Sequence, residues 1–292
     1  MPASVTVLIR AKNEAALIGE CLRGVAGQDY PGPVAVLVID SGSTDRTVEI
    51  ARSFPAVRVH QIPPAEFNYG KTLNDGIGMC DSEYVVPLSA HCVPTTDRWL
   101  AALTAPLDRD PRVAGAYGRQ VPWPDCGFLE KAALAAAFGP ADAVTNTPAG
   151  DLFDTVFSNA NACVRRERAV AVPFQPLPWS EDRVWAHAML TAGYRIAYAA
   201  DAAVYHSHQW TARGWFRVGR ADSRARRRLG LPARTATPAW FGVGRGISRF
   251  TYWYRQACRV RGGRRDALGL ALGTLSHEIA SDVGGWAGAN GW

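Results

Sequence analysis

The chain has 292 residues, 48% of them hydrophobic and 20% charged, and carries a net charge of +6. That supplies a sizeable core, and no run of about 18 apolar residues exists from which a membrane-spanning helix could be built. The charge is uneven: residues 206–292 hold fifteen arginines, no lysine and four acids, a balance of +11 that leaves the first 205 residues at −5, so two regions with different tasks are expected.

The opening MPASVTVLIRAKNE lacks a basic stretch followed by a long apolar one, so it reads as a first strand (5–9) and not as a signal peptide. Residues 14–28 place Leu17, Ile18, Cys21, Leu22 and Val25 at helical spacing. VAVLVID (34–40) is a second buried strand, and 44–54 a helix for which Ser43 or Thr44 is the expected N-cap. A third strand (57–62), a short helix (71–80) and a fourth strand (83–89) follow. Strands and helices alternating at this spacing imply right-handed crossovers and a parallel sheet covered on both faces.

Beyond residue 100 the alternation loosens. Residues 116–127 read as a strand and a loop, 128–139 as a helix, 140–151 as a mobile loop and 160–166 as a strand. A helix over 180–194 has Ser180 as its expected N-cap and Gly193 near its end, and 195–208 is a strand with an exit loop. Read as a helix, 213–228 puts Arg213, Arg217, Arg220, Arg224 and Arg228 on one face. Trp215, Val218, Asp222, Ala225 and Leu229 mark a second, mostly apolar face. Further helical patterns in 237–292 precede a GGWAGANGW end expected to be mobile. The six cysteines (Cys21, Cys80, Cys92, Cys126, Cys163, Cys258) form no CxxC pair; without a secretion signal this favours reduced thiols in a cytoplasm, most of them small core residues.

Three polar clusters stand at strand ends: RAKNE after the first, DSGSTD after the second and SAHCVP after the fourth. In open α/β sheets ligands bind outside the carboxyl ends of the strands, so the three converge on one crevice. VIDSGSTDRT (38–47) suits nucleotide binding, with a carboxylate for a base or ribose group and free helix amides beyond it; a capping aspartate in an ordinary strand–turn–helix connection fits it equally. Further on, Glu181 and Asp182 stand between Trp179 and Trp185. Such a pair either opens a helix or does proton chemistry in a partly dry pocket.

Taken in order, VLIRAKNE with VIDSGSTDRT, IPPAEFNYGKTLNDGI (62–77), LSAHCVP and Trp99, FSNANACVRR (157–166), SEDRVWA (180–186) and VYHSH (204–208) resemble the family-2 glycosyltransferases with the GT-A fold, in their bacterial rhamnosyltransferase-like branch. The resemblance spans residues 4 to 210. It implies an α/β fold: a Rossmann-like, mixed but mainly parallel sheet with helices on both faces. The catalytic domain would be 1–208, with a nucleotide-sugar half (1–100) and an acceptor half (101–208), and 209–292 a basic, mainly helical extension.

The resemblance implies a nucleotide-sugar donor, UDP- or dTDP-linked, with a deoxyhexose such as rhamnose favoured by EFNYGKTLN. Arg10, Lys12, Glu14, Asp40 and Ser41 would lie near base and ribose, and Lys71, Ser89 and Ala90 along the donor. The family's Asp-x-Asp is replaced by Ser89-Ala90-His91, so Ser89 lacks the first charge. His91 can still ligate a divalent metal, as in the Asp-x-His motif of the polypeptide N-acetylgalactosaminyltransferases, with His206 or His208 as a further ligand; two imidazoles suit Mn2+ better than Mg2+. The alternative is that His91 only hydrogen-bonds a phosphate.

Inverting transfer needs a carboxylate to take the acceptor hydroxyl's proton, and the resemblance assigns this to the acid pair. Asp182 is the expected base, with Glu181 positioning the acceptor or capping the helix, and Trp179 and Trp185 as the apolar wall that raises the base's pKa. Asn159, Asn161 and Trp179 would line the acceptor side; turn or strand-edge roles for the two asparagines are equally open. The acceptor would be a hydroxyl of a glycan, lipid-linked glycan or natural product. No nucleic acid is expected as partner. The arginine stretch 213–228 suits the donor diphosphate, an anionic membrane at its inner face or plain solvent. A dehydrogenase is disfavoured because no GxGxxG follows the first strand, and a polyanion binder leaves the strand-end clusters unexplained.

Overall fold

Four apolar runs of the first ninety residues become β1 (Val5–Ala11), β2 (Val34–Asp40), β3 (Val57–Gln61) and β4 (Tyr84–Ser89), paired in parallel in the order β3-β2-β1-β4. Arg10 stands opposite Ser89 and Ala11 opposite Asp40, so the polar strand ends fall on one edge. In this computed structural model residues 2–208, 211–232, 283, 284 and 287 are described; the rest of 237–292, with its expected helices and mobile end, lies outside the described residues.

Five further strands extend the sheet: β5 (Val93–Pro94), β6 (Val113–Val121), β7 (Ala143–Thr145), β8 (Ala162–Arg165) and β9 (Arg195–Tyr205). β8 lies antiparallel between β4 and β6, β9 runs parallel to β6, and β5 and β7 pair antiparallel with β9. Among the described strands β1–β4, β6 and β9 point one way and β5, β7 and β8 the other, which makes the sheet mixed and mainly parallel, as expected.

The helices are α1 (Ile18–Ala26), α2 (Thr47–Arg52), α3 (Tyr69–Gly78), α4 (Trp99–Arg109), α5 (Phe128–Ala137), α6 (Arg166–Ala171) and α7 (Glu181–Thr191). Successive β1 side chains point to opposite faces, so two cores form. Val5, Val7 and Ile9 pack with Ile18 and Leu22 of α1 and Leu100 and Leu103 of α4. Leu8 packs on the other side with Leu73 and Ile77 of α3 and Met189 and Leu190 of α7.

Local chemistry departs from expectation at four places. The first helix starts at Ile18, not Glu14. Neither Ser43 nor Thr44 caps α2: both bond Asn13, and Asp45 accepts from the Thr47 N–H (3.0 Å). The expected loop 140–151 contains the short exposed strand β7. Ser180 does not cap α7, because its φ is +62° and its hydroxyl is buried with no partner among the described residues. Gly193 ends α7 as expected: at φ +84° its N–H donates to the Leu190 carbonyl while that of Tyr194 reaches Met189.

The chain divides into two compact units. The first comprises 1–125, 133–176 and 181–207; the second comprises 126–132, 177–180 and the described residues from 208 onward. In the second, α8 (Ala212–Arg228) is capped by the Thr211 hydroxyl accepting from the Gly214 N–H. Arg213, Arg217, Arg224, Arg227 and Arg228 are exposed, Arg220 is half-buried, and Arg226 is buried with its Nε donating to the Pro232 carbonyl (2.8 Å). Among the described residues no helix is long and apolar enough to cross a membrane.

Within the first unit Gly118 of β6 lies where a Cβ would strike the Ala202 carbonyl and the Asn161 carboxamide. Gly118→Ala is therefore expected to cost about 1–3 kcal/mol in urea unfolding. Gly78→Ala, at a helical position with nothing within 4 Å, is the neutral or stabilising control.

Candidate active site

The loops after β1 and β2 are stapled together. Asn13, at φ +56°, donates its N–H to Ser43 Oγ (2.8 Å) and accepts from the Thr44 N–H (2.8 Å). The Glu14 N–H donates to Thr47 Oγ1 (2.7 Å) and that of Ala15 to Asp45 (3.1 Å). Asp40 is fully buried, and its carboxylate accepts from the Gly42 and Ser43 N–H groups (3.1 Å each) and the Ser43 hydroxyl. Ser41, also buried, donates to the Ala11 carbonyl. Asp40 and Ser41 thus build the loop itself, while Lys12 is exposed beside it. Lys71, also exposed, pairs with Asp75 (2.7 Å) in α3, which Asn68 caps.

The acid pair opens α7. Glu181 is 5% exposed, contacts Arg10 Nη1 at 3.4 Å and accepts from Asn159 Nδ2 (3.3 Å). Arg10 also donates to the Tyr69 carbonyl (2.7 Å) and lies over the Tyr69 ring. Asp182, half-buried, accepts from the Asn159 N–H (3.2 Å) and the Arg183 N–H (2.8 Å). Burial, reinforced by the Asp182 charge, pushes the Glu181 carboxyl above its ordinary value against the pull of Arg10. Trp185 is a core residue: it stacks on Phe174 and donates its indole N–H to the Val172 carbonyl (3.0 Å). The polar wall that Arg10 and Asn159 make around Glu181 was not foreseen.

The third element is a histidine pair. His91, just past β4, donates from Nδ1 to the Glu14 carboxylate (2.9 Å). His206, just past β9, donates from Nδ1 to Gln120 Oε1 (2.7 Å). The Gln120 amide nitrogen in turn donates to Ser158 Oγ (2.9 Å), with its oxygen turned towards His206. Both imidazoles then present Nε2 lone pairs, and these face each other at 3.1 Å with the rings stacked. Two lone pairs at that distance repel unless a proton is shared between them or a cation sits beside both. Nitrogens bound to one ion at about 2.1 Å stand about 3.0–3.4 Å apart in tetrahedral or octahedral geometry, so the pair fits a metal.

One short segment joins these elements. Ser158 holds Gln120, Asn159 holds both acids, and the Ala160 carbonyl accepts from the Ser89 N–H (3.1 Å). Asn161 departs from its expected acceptor role. It is fully buried, donates to the Ala202 and Arg119 carbonyls (2.8 and 3.2 Å) and accepts from the Trp99 indole (2.9 Å), so its carboxamide braces the core. Ala90 is buried beneath His91. Trp179 and His208 lie in the second unit, both half-buried, and the His208 N–H there donates to Glu130 (3.2 Å). Gln120 was missed because a glutamine in a strand carries no motif.

The glycosyl transferase family 2 model matches residues 6–140. The O-antigen chain rhamnosyltransferase RfbN of Salmonella typhimurium is 31% identical over 222 residues, 73% of this chain and 69% of that protein. The chain belongs to glycosyltransferase family 2. A second member of the family, the O-antigen chain rhamnosyltransferase WbaN of Salmonella anatum, is 34% identical over 192 residues, 63% of this chain; the match spans 60% of WbaN's own length. The fold is shared with a mannosyltransferase from Pyrobaculum calidifontis, solved with GDP-Man and Mn2+, at a TM-score of 0.62 and 18% identity over 99% of this chain and 87% of that one. The GT-A architecture is thus as expected.

The raised Glu181 pKa has a consequence for stability. Above its ordinary value of 4.5 the unfolded chain has lost a proton that the folded chain keeps, so stability falls as pH rises towards the folded value. In thermal melts across pH, Glu181→Gln is expected to gain in Tm relative to the parent from that value upward; a gap independent of pH would show that Glu181 is not raised.

Proposed function

We propose that this chain is an inverting glycosyltransferase that moves a sugar from a nucleoside-diphosphate donor to an acceptor hydroxyl. The observation that carries this is the segment 158–161, which ties the acid pair, the histidine pair through Gln120 and the end of β4 into one network. Rhamnose on UDP or dTDP is the favoured donor, since the two rhamnosyltransferases are the family members described above. The acceptor is a hydroxyl of a glycan or lipid-linked glycan.

In this reading residues 1–208 are catalytic, with 1–100 binding donor and 101–208 binding acceptor, and 209–292 is an extension. The stapled loops, with Lys12 at their surface and Arg10 below, form the nucleoside side, and Lys71 faces the donor phosphates. Asp182 takes the acceptor proton as the hydroxyl oxygen attacks the anomeric carbon; the bond to the diphosphate breaks and the nucleoside diphosphate leaves. Glu181, held by Arg10 and Asn159, fixes the helix start beside it and orients the acceptor.

A divalent cation, when bound, supplies positive charge to the leaving diphosphate. His91 and His206 would hold it, with His208, two residues further along the chain, as the next imidazole available. Mn2+ suits nitrogen ligands better than Mg2+. The exposed arginines of α8 suit peripheral contact with an anionic membrane surface at its cytoplasmic face.

Two measurements test the reading. Asp182→Asn is expected to lower kcat by about 10²–10⁴-fold while nucleoside-diphosphate affinity stays within about twofold; near-normal turnover rules Asp182 out as base. Among UDP, dTDP, GDP and CMP, one nucleotide is expected to raise the Tm, more with Mn2+ than with EDTA, and His91→Ala should abolish the Mn2+ increment alone. Equal stabilisation in EDTA would leave His91 as a phosphate hydrogen-bonding group, and no stabilisation by any nucleotide would remove the donor site.

A further inference from the structure

His91 and His206 reach their facing positions from two strands that run the same way, one past β4 and one past β9, with β8 and β6 between them. Imidazole has two tautomers, and only one of them leaves Nε2 free of a proton. Which tautomer forms depends on what meets Nδ1. At His91 that partner is Glu14, a carboxylate that only accepts. At His206 it is the Gln120 oxygen, with the Gln120 amide nitrogen turned to Ser158 Oγ. Neither partner is placed by chance. The Glu14 backbone is tied to Thr47 in the loop after β2, and Gln120 lies in β6, 5% exposed.

We propose that Glu14 and Gln120 are positioning residues of the cation site, each locking one imidazole in the Nδ1–H form so that both Nε2 lone pairs point at one ion. This rests on the cation reading above and removes Glu14 from the nucleotide contacts expected from the resemblance. The two partners are not equivalent. Glu14 brings a negative charge, which keeps the ion partly neutralised from behind, whereas Gln120 orients without charge. Glu14 also belongs to the stapled donor loop, so that loop and the ion share a residue.

The test is a Mn2+ titration of the purified chain followed by the EPR signal of the free ion, with thermal melts to check folding. Glu14→Leu and Gln120→Met are expected to weaken Mn2+ binding by about 10–100-fold, the usual effect of losing such an outer partner. Glu14→Gln and Gln120→Glu keep an acceptor at Nδ1 and should recover most of the affinity. Truncated variants that melt like the parent and bind Mn2+ within twofold of it would overturn the proposal while leaving the cation site intact. Equal loss in the truncated and acceptor-keeping variants would overturn it too, since geometry and not the Nδ1 bond would then be at fault. A parent that binds no Mn2+ would sink the cation reading and this proposal together. If Gln120→Met fails to fold, the two Glu14 variants decide, because Glu14 is a quarter exposed and its side chain bonds only at the site's edge.

Discussion

Everything chemical in the first unit hangs on one constraint: four consecutive residues, 158–161, have to satisfy polar groups arriving from four directions. A buried donor or acceptor left without a partner costs about 1–3 kcal/mol, so a segment with this many obligations has little freedom to move. Ser158 meets the glutamine of β6, Asn159 meets both acids of α7, the Ala160 carbonyl meets the end of β4, and Asn161 locks β6, β9 and α4 together. One atom stands outside this accounting: Asn159 Oδ1 is buried with no partner among the described residues. It lies on the side chain that touches Glu181.

The electrostatics divide along the same lines. Around Glu181 the protein balances a buried acid with a guanidinium and a carboxamide, which fixes it in place and leaves Asp182 the more accessible of the two. Around the histidines it does the reverse: two imidazoles face each other, with a carboxylate behind one and a carboxamide behind the other. The Glu14 carboxylate is set back behind an imidazole.

Much of the architecture was legible in the sequence, and the reason is periodicity. Runs such as VAVLVID allow one conformation in one environment, and their polar ends then mark the binding edge. The clusters at Arg10, Asp40 and Ser89 could therefore be expected to converge, and the register aligns them. What the pattern does not encode is the direction of a side chain within a cluster. Asn159 and Asn161 are the same residue two positions apart, yet one faces the acids and the other is consumed in the core. Asp40 could be read as a ligand group or as a capping aspartate, and its carboxylate bonds within its own loop. Gln120 was invisible because its partner, His206, is distant in sequence and only β6–β9 pairing brings them together. Capping failed for a similar reason: Ser43 and Thr44 are drawn away from α2 by Asn13, a competitor from another loop.

The placement of β8 bears on whether the protein can be taken apart. β4 finds its second neighbour only in residues 162–165, and β6 finds its own in β8 and β9, both far down the chain. A fragment ending near residue 100 would present β4 with a row of unpaired backbone groups, an adhesive rim that proteins normally cover or charge. Residues 1–100 are therefore not a module that can be expressed, swapped or inherited on their own: their edge is completed by the same antiparallel strand that follows directly on the residues binding the acids. Recombination between family members that cuts inside this interval would separate a sheet from its closure and Glu181 from Arg10 in a single event.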